Sequence, residues 1–263
     1  MAYDLESIQT GRVERPPRIV LVGGTKVGKS TLACDFPSPI VIPVAGEEGV
    51  DDIDCAKFPT VHSFADLGSA LQTLATEDHQ YETLVIDSVT RLESLIFAFT
   101  CEQHGKESIE KFGYGKGYIF ALDNWSLFLR QLDGLRTRGM TIVLIGHVQA
   151  KGFNDPSEES YDRWEIRLNK HAEGLLREWT DVSLYLGLRT FVQHDDEGLR
   201  ERKRAIGGER ILFTQPHPTR PSGGRGVWGR LPAEIPLPFP NPYHHLKQVV
   251  DAARAQENQT ANA

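Results

Sequence analysis

The chain has 263 residues, 40% of them hydrophobic, which suffices for one sizeable core. No apolar run approaches the ~18 residues that a membrane span needs, and the opening MAYDLESIQTGRVERPP has no apolar signal core, so a soluble, cytoplasmic protein without membrane contact is expected. The formal charge of −7 counts against a general nucleic-acid binder, because neutralising phosphates takes Lys and Arg, but it leaves room for a local basic groove.

After a polar leader ending at Pro16-Pro17, residues 18–23 form an apolar, β-branched run of strand length that stops at glycine. Such a run suits a strand buried on both faces of a parallel sheet. A short helix is expected from Lys29 to about Phe36, stopped by Pro37 and Pro39. Residues 40–44 read as a second strand despite Pro43, and residues 63–77 as a helix that Ser63 can cap. Residues 83–87 and 141–146 are third and fourth buried strands. Between them lies a long helical stretch, where Tyr118, Leu122, Trp125, Leu129 and Leu132 make a stripe that packs on the sheet. Further on come strand-like residues 181–188 and 210–214, a Pro/Gly-rich stretch over 216–242, a helix from Tyr243 to about Arg254, and a disordered polar tail. The alternation predicts an α/β fold, a mainly parallel, doubly wound sheet flanked by helices with antiparallel C-terminal additions. The expected division is a flexible leader (1–17), a core (18–242) and a C-terminal helix with its tail (243–263). Cys34, Cys55 and Cys101 share no C-x-x-C spacing, so neither a disulfide framework nor a zinc site is indicated.

Gly23-Gly24-Thr25-Lys26-Val27-Gly28-Lys29-Ser30, followed by Thr31, matches the phosphate-binding loop G-x-x-x-x-G-K-[ST] in the strand–helix context the motif requires. Its glycines let successive N–H groups face the phosphates, Lys29 reaches the β- and γ-phosphates, and the Ser30 hydroxyl binds Mg²⁺. The helix beginning there adds its positive end. Asp87, closing a buried strand, is the second magnesium group; its other reading is a cap for the next helix, which Ser88 beside it allows. The expected ligands are therefore ATP and Mg²⁺. Residues 169–172 lack the aspartate of a GTPase base-recognition motif, residues 222–225 are not a transporter signature, and the middle of the chain has no Arg-rich kinase lid.

The order Gly46-Glu47-Glu48-Gly49, then Asp87-Ser88, then Gly146-His147 resembles the RecA-like P-loop NTPase core. More narrowly, IQTGRVERPPRIVLVGGTKVGKSTLA, LVIDSVTRLE and YDRWEIRLNKHAEGLLREWTDVSLYL resemble phage-encoded RecA-like ATPases of the AAA-family nucleotide-binding group, which includes single-strand annealing and recombination proteins of the Sak type. The resemblance spans roughly residues 11–245 and implies an ATPase in which Glu48 (Glu47 second) activates water and His147 senses the γ-phosphate. It also implies single-stranded DNA at two loops, near residues 105–117 and 149–170. The first offers Lys111, Tyr114 and Lys116 among glycines, and the second Lys151 and Phe153, together with Arg163, Trp164 and Arg167 diluted by acids that include Asp155 and Glu158. Arg200, Arg202, Lys203 and Arg204 read as a solvated hairpin tip. Arg225, with Arg230 in reserve, stands where the family places a basic residue completing a neighbour's ATP site, although the family's lysine is absent. The implied partners are single-stranded DNA, further copies of the chain, and phage or host recombination or replication proteins. A reading of another class stays open: a nucleotide-dependent interaction module that switches a protein partner without touching DNA.

Overall fold

The computed structural model describes residues 13–154, 159–195 and 202–261, together with 4, 6, 8, 10 and 11. Its first strand, β1 (Arg18–Gly23), leads through a tight loop into α1 (Lys29–Cys34). Then follow β2 (Pro39–Pro43), β3 (Ala56–Lys57), α2 (Phe64–Thr76), β4 (Thr83–Asp87), α3 (Val89–Gln103) and α4 (Lys116–Thr137). The second half holds β5 (Thr141–Phe153), β6 (Tyr161–Ile166), α5 (Lys170–Trp179), β7 (Val182–Asp195), β8 (Arg202–Phe213), β9 (Gly223–Gly224), β10 (Glu234–Pro236) and α6 (Pro242–Ala261).

The strand order is β10-β8-β7-β1-β5-β4-β2-β3, with β6 paired to β5 and β9 to β7. β7, β1, β5, β4, β2 and β3 run parallel, whereas β8, β10, β6 and β9 are antiparallel additions. Pro43 falls on the last residue of β2, where a missing N–H costs least. Side chains alternate across β1: Val20 and Val22 enter one core with α2 to α5, and Ile19 and Leu21 enter the other with α1 and α6. The expectation of a mainly parallel, doubly wound sheet with antiparallel additions is met.

Several elements differ from the sequence reading. The long helical stretch is two helices, broken where Gly105, Gly113 and Gly115 take positive φ around a 3-10 turn at Ile109–Phe112. On α4 the buried face includes Trp125, Phe128, Leu129 and Leu132, while Tyr118 and Leu122 lie half-buried at its margin. The C-terminal helix continues to Ala261, and Leu246, Val250 and Ala253 share a core with Leu32 and Ala33 of α1. Arg200, Asp155 and Glu158 lie outside the described residues; Arg202, Lys203 and Arg204 are the first residues of β8, paired with β7 at Asp195, His194 and Gln193.

α5 was missed. Its signal is Asn169, whose side chain accepts from the His171 N–H, followed by Ala172, Leu175, Leu176 and Trp179 at helical spacing. The Asn169 N–H in turn donates to the Glu93 carboxylate of α3 at 2.8 Å. Burial pushes the Glu93 carboxyl up to about 7, against the lowering effect of that N–H. A carboxyl raised in the folded state favours folding below its unfolded pKa, and this contribution is lost as pH rises through the folded value. Glu93→Gln keeps an acceptor for Asn169 but cannot ionise. Its stability relative to the parent is therefore expected to rise as pH increases from about 4.5 to about 7. Urea denaturation midpoints of both proteins across that range test this; a constant offset between them would refute it.

Candidate functional site

The parallel register sets the carboxyl ends of β1 and β4 on either side of the middle of β5: Gly23 lies opposite His147, and Asp87 opposite Ile145. The loop after β1 has room only for glycine at two places. A Cβ on Gly23 would overlap the Leu186 carbonyl of β7, and one on Gly28 would meet the Phe239 ring at 2.9 Å. Gly28 also has φ +101 and Lys26 φ 60, so the chain curls back on itself before α1. Lys29 is 5% exposed and points into that curl, donating to the Gly24 carbonyl at 2.6 Å and the Gly23 carbonyl at 3.2 Å. Burial lowers the Lys29 pKa, although Asp87 and Glu47 oppose the shift. Thr25, Lys26 and Thr31 are exposed on the rim, and the Arg210 Nε donates to the Val27 carbonyl from outside the loop. Nothing in the sequence around Arg210 or Phe239 signalled that the C-terminal segment braces this loop.

The Ser30 hydroxyl donates to Asp87 Oδ2 at 2.6 Å. Ser88 is the cap of α3, its hydroxyl accepting from the Arg91 N–H, so the Asp87 carboxylate is left to face Ser30. Burial raises the Asp87 pKa and the Glu47 charge adds to it, while the Ser30 hydrogen bond and the Lys29 charge pull it down. Among the described residues no group of three or more His, Cys, Asp and Glu is arranged around a metal position. Ser30 and Asp87 are nevertheless hard oxygen donors of the kind Mg²⁺ uses when phosphate oxygens and water complete its shell.

The acid that enters this site is Glu47 and not the predicted Glu48. Glu48 is exposed, because the turn after β2 directs alternate residues outward and inward. Glu47 Oε1 accepts from the Ser88 hydroxyl at 2.8 Å and lies 2.9 Å from His147 Nε2. Arg91 Nε stands 3.6 Å away. Burial pushes the Glu47 pKa up, but the hydrogen bonds from His147 and Ser88 and the charges of His147 and Arg91 outweigh it, so the pKa lies below the usual carboxylate range. An ionised carboxylate only accepts, so Nε2 carries the proton. His147 Nδ1 is buried and has no hydrogen-bond partner. The His147 N–H donates to the Thr90 hydroxyl of α3 at 3.0 Å. Ser88, Thr90 and Arg91 are thus site residues that sequence reasoning missed; their signal was their place directly after Asp87.

Other predicted residues lie elsewhere. Arg225 bonds the Thr180 carbonyl at 2.7 Å and Asp181 at 3.0 Å, at the amino end of β7. That is a strand length from the phosphate loop, about 20 Å for six residues. Arg230 pairs with Glu257 at 3.1 Å. Neither can reach the phosphate loop of its own chain. The second predicted DNA loop is mostly a β-hairpin, since β5 runs on from His147 to Phe153 and pairs with β6. Lys151 and Arg163 both bond Glu165, and the Arg163 guanidinium lies over the Phe153 ring at 3.9 Å, so these cations are already engaged. Lys111, Tyr114 and Lys116 of the first loop are exposed, Tyr114 fully, and the two lysines have no ion pair with a described residue.

A family model described as an AAA domain matches residues 15–226, most of the chain. The chain belongs to that family. The AAA domain match covers the phosphate loop, Glu47, Asp87 and His147 and makes this a nucleotide-binding P-loop domain. The chain is 23% identical over 135 residues to the SPbeta prophage-derived uncharacterized protein YorG of Bacillus subtilis. That alignment covers 49% of this chain and spans 40% of the relative's length. A KaiC-like protein of the archaeon Pyrococcus horikoshii OT3 aligns in structure with 13% identity and a TM-score of 0.41, over 86% of this chain and 88% of the other. No helix among the described residues is long and apolar enough to cross a membrane.

The raised Asp87 pKa means that its ionised form costs the nucleotide-free fold stability at neutral pH. Asp87→Asn still accepts from Ser30 and carries no charge. Without ligand it is expected to melt at or above the parent's temperature at pH 7.5, with the advantage vanishing in acid as the parent protonates. Thermal melts should also show that magnesium nucleotide stabilises the parent and not the variant. A variant that melts well below the parent without ligand would contradict the assignment.

Proposed function

We propose that this chain is an ATPase of the RecA-like type, dependent on Mg²⁺ and stimulated by single-stranded DNA, that acts in phage DNA recombination or replication. The observation that carries the reading is the double engagement of Glu47. It bonds His147 in the middle of β5 and Ser88 at the start of α3, beside the Ser30–Asp87 pair and the Lys29 loop. Lys29 and the loop N–H groups bind the phosphates, and Ser30 with Asp87 holds Mg²⁺. When bound, that ion neutralises the charge that develops between the β- and γ-phosphates. Glu47, ionised and acceptor-only, orients the attacking water and takes its proton as the bond to the leaving diphosphate breaks.

The path to DNA runs along α3. Ser88, Thr90 and Arg91 stand at its start, and residues 105–117 follow its far end, about 22 Å away for fifteen residues. In that loop Tyr114 is a free stacking surface and Lys111 and Lys116 are uncommitted cations, above an aromatic group in which Phe120 stacks on His104 at 4.8 Å. This loop supports strand binding better than the hairpin with Lys151 and Phe153, whose cations are already neutralised. The prophage-derived relative and the Sak-type resemblance support the phage setting. Homo-oligomers rest on the family resemblance alone, because Arg225 would have to leave Thr180 and Asp181 to serve a neighbouring subunit's site.

Steady-state hydrolysis with and without single-stranded DNA, at two salt concentrations, tests the reading. A several-fold stimulation that weakens as salt rises is expected, and Lys111→Ala with Tyr114→Ala should abolish it while leaving the basal rate. A slow rate indifferent to DNA would instead favour a module that switches a protein partner. Within the site, Glu47→Gln should lower turnover about 10²- to 10⁴-fold while nucleotide still binds, whereas Glu48→Gln should stay near the parent. The reverse ranking would return the role to Glu48.

A further inference from the structure

The three cysteines are far apart in sequence, yet the fold brings two of them together. Cys34 is the last residue of α1, Cys55 immediately precedes β3, and their Sγ atoms are 3.4 Å apart. Both are half-buried and free, and Cys101 is buried on α3. The chain between β2 and Cys55 lies along α1. Val50 shares a core with Leu32 and Ala33, and a Cβ on Gly49 would stand 3.2 Å from the Ser30 hydroxyl. Lys57 Nζ donates to the Val50 carbonyl at 2.8 Å. The segment that carries Glu47 therefore touches α1 twice, near Ser30 at the phosphate end and through the thiols at the other.

We propose that Cys34 and Cys55 are a redox-sensitive pair whose disulfide pins the Glu47 segment to the helix that begins with Lys29 and Ser30, slowing nucleotide release. The second half rests on the nucleotide-site reading above. The oxidant is a low-molecular-weight disulfide. Cys34 donates its S–H to the Cys55 sulfur, and burial together with that hydrogen bond keeps Cys34 protonated. One of the two thiols, once deprotonated, attacks one sulfur of the oxidant and expels a thiolate, leaving a mixed disulfide. The other, 3.4 Å away, then gives its proton to solvent and attacks that protein sulfur, displacing the second small thiolate. Two protein thiols are oxidised and one external disulfide is reduced to two thiols. Closing the bond brings the sulfurs from 3.4 Å to ~2.0 Å, a local adjustment at the end of a short helix.

The test treats the full chain with oxidised glutathione, maps the non-reduced digest by mass spectrometry, and measures release of a fluorescent ATP analogue with Mg²⁺ before oxidation, after it and after added dithiothreitol. The expected result is a Cys34–Cys55 link with Cys101 unmodified, and release several-fold slower until reductant restores it. Cys34→Ala and Cys55→Ala should each be insensitive to oxidation, and having both guards against one failing to fold. A lasting glutathione adduct without the link, a link through Cys101, or the expected link with unchanged release would each overturn the proposal. If the reduced parent failed to bind the analogue, the nucleotide reading would fall and this coupling with it, while the mapped link would still report on the thiols.

Discussion

Everything at the site hangs on β1 being clamped between two parallel neighbours. Its backbone groups pair with β5 on one side and β7 on the other, and its side chains enter a core on each face. A strand so enclosed has its polar groups satisfied on both sides, and its exit at the carboxyl end is narrowed by the Leu186 carbonyl until only glycine passes. The amino end is fixed as firmly. Asp181 takes hydrogen bonds from the Arg18 N–H and guanidinium and pairs with Arg136 and Arg225, tying β1, α4 and β7 together. With both ends held, the curl before α1 has one place to go.

That curl gathers charges that would be avoided in a merely structural core. Lys29 and Asp87 are almost fully buried, and Glu47 is close to both. Burial disfavours the charged form of each, and their mutual attractions offset this only in part for Lys29 and Asp87. Such an arrangement suits a nucleotide's phosphates and, on the reading proposed above, the Mg²⁺ that accompanies them. The half-satisfied His147, with one ring nitrogen on Glu47 and the other unpartnered, belongs to the same pattern of local conflict at a functional site.

Charge pairing also separates the two regions that sequence marked as strand-binding. A list of cations and aromatics looks much the same for both. In the folded chain Glu165 draws Lys151 and Arg163 onto itself, while Lys111 and Lys116, on either side of the glycine-flanked Tyr114, pair with no acid among the described residues. A cation held by a protein carboxylate has less to offer a phosphate, because the existing bond must first be broken.

The sequence by itself determined the local elements and the chemistry they carry. β-branched runs specified β1, β4 and the first half of β5, Ser63 marked the start of α2, the motif spacing identified the Gly23 to Thr31 loop, and the place of Asp87 at the end of a buried strand made it the candidate partner of Ser30. Propensity and periodicity act over a few residues, so these features were legible. What lay beyond was decided by contacts distant in sequence. Glu47 and Glu48 are chemically identical neighbours, and only the packing of the turn against Ser88 and His147 selects between them. β5 extends past His147 because β6 is there to pair with it, Arg225 is held by Asp181 far from the phosphate loop, and Cys34 meets Cys55 across 21 positions. These are choices of partner, and one chain read in one dimension offers many candidates that only the tertiary structure reduces to one.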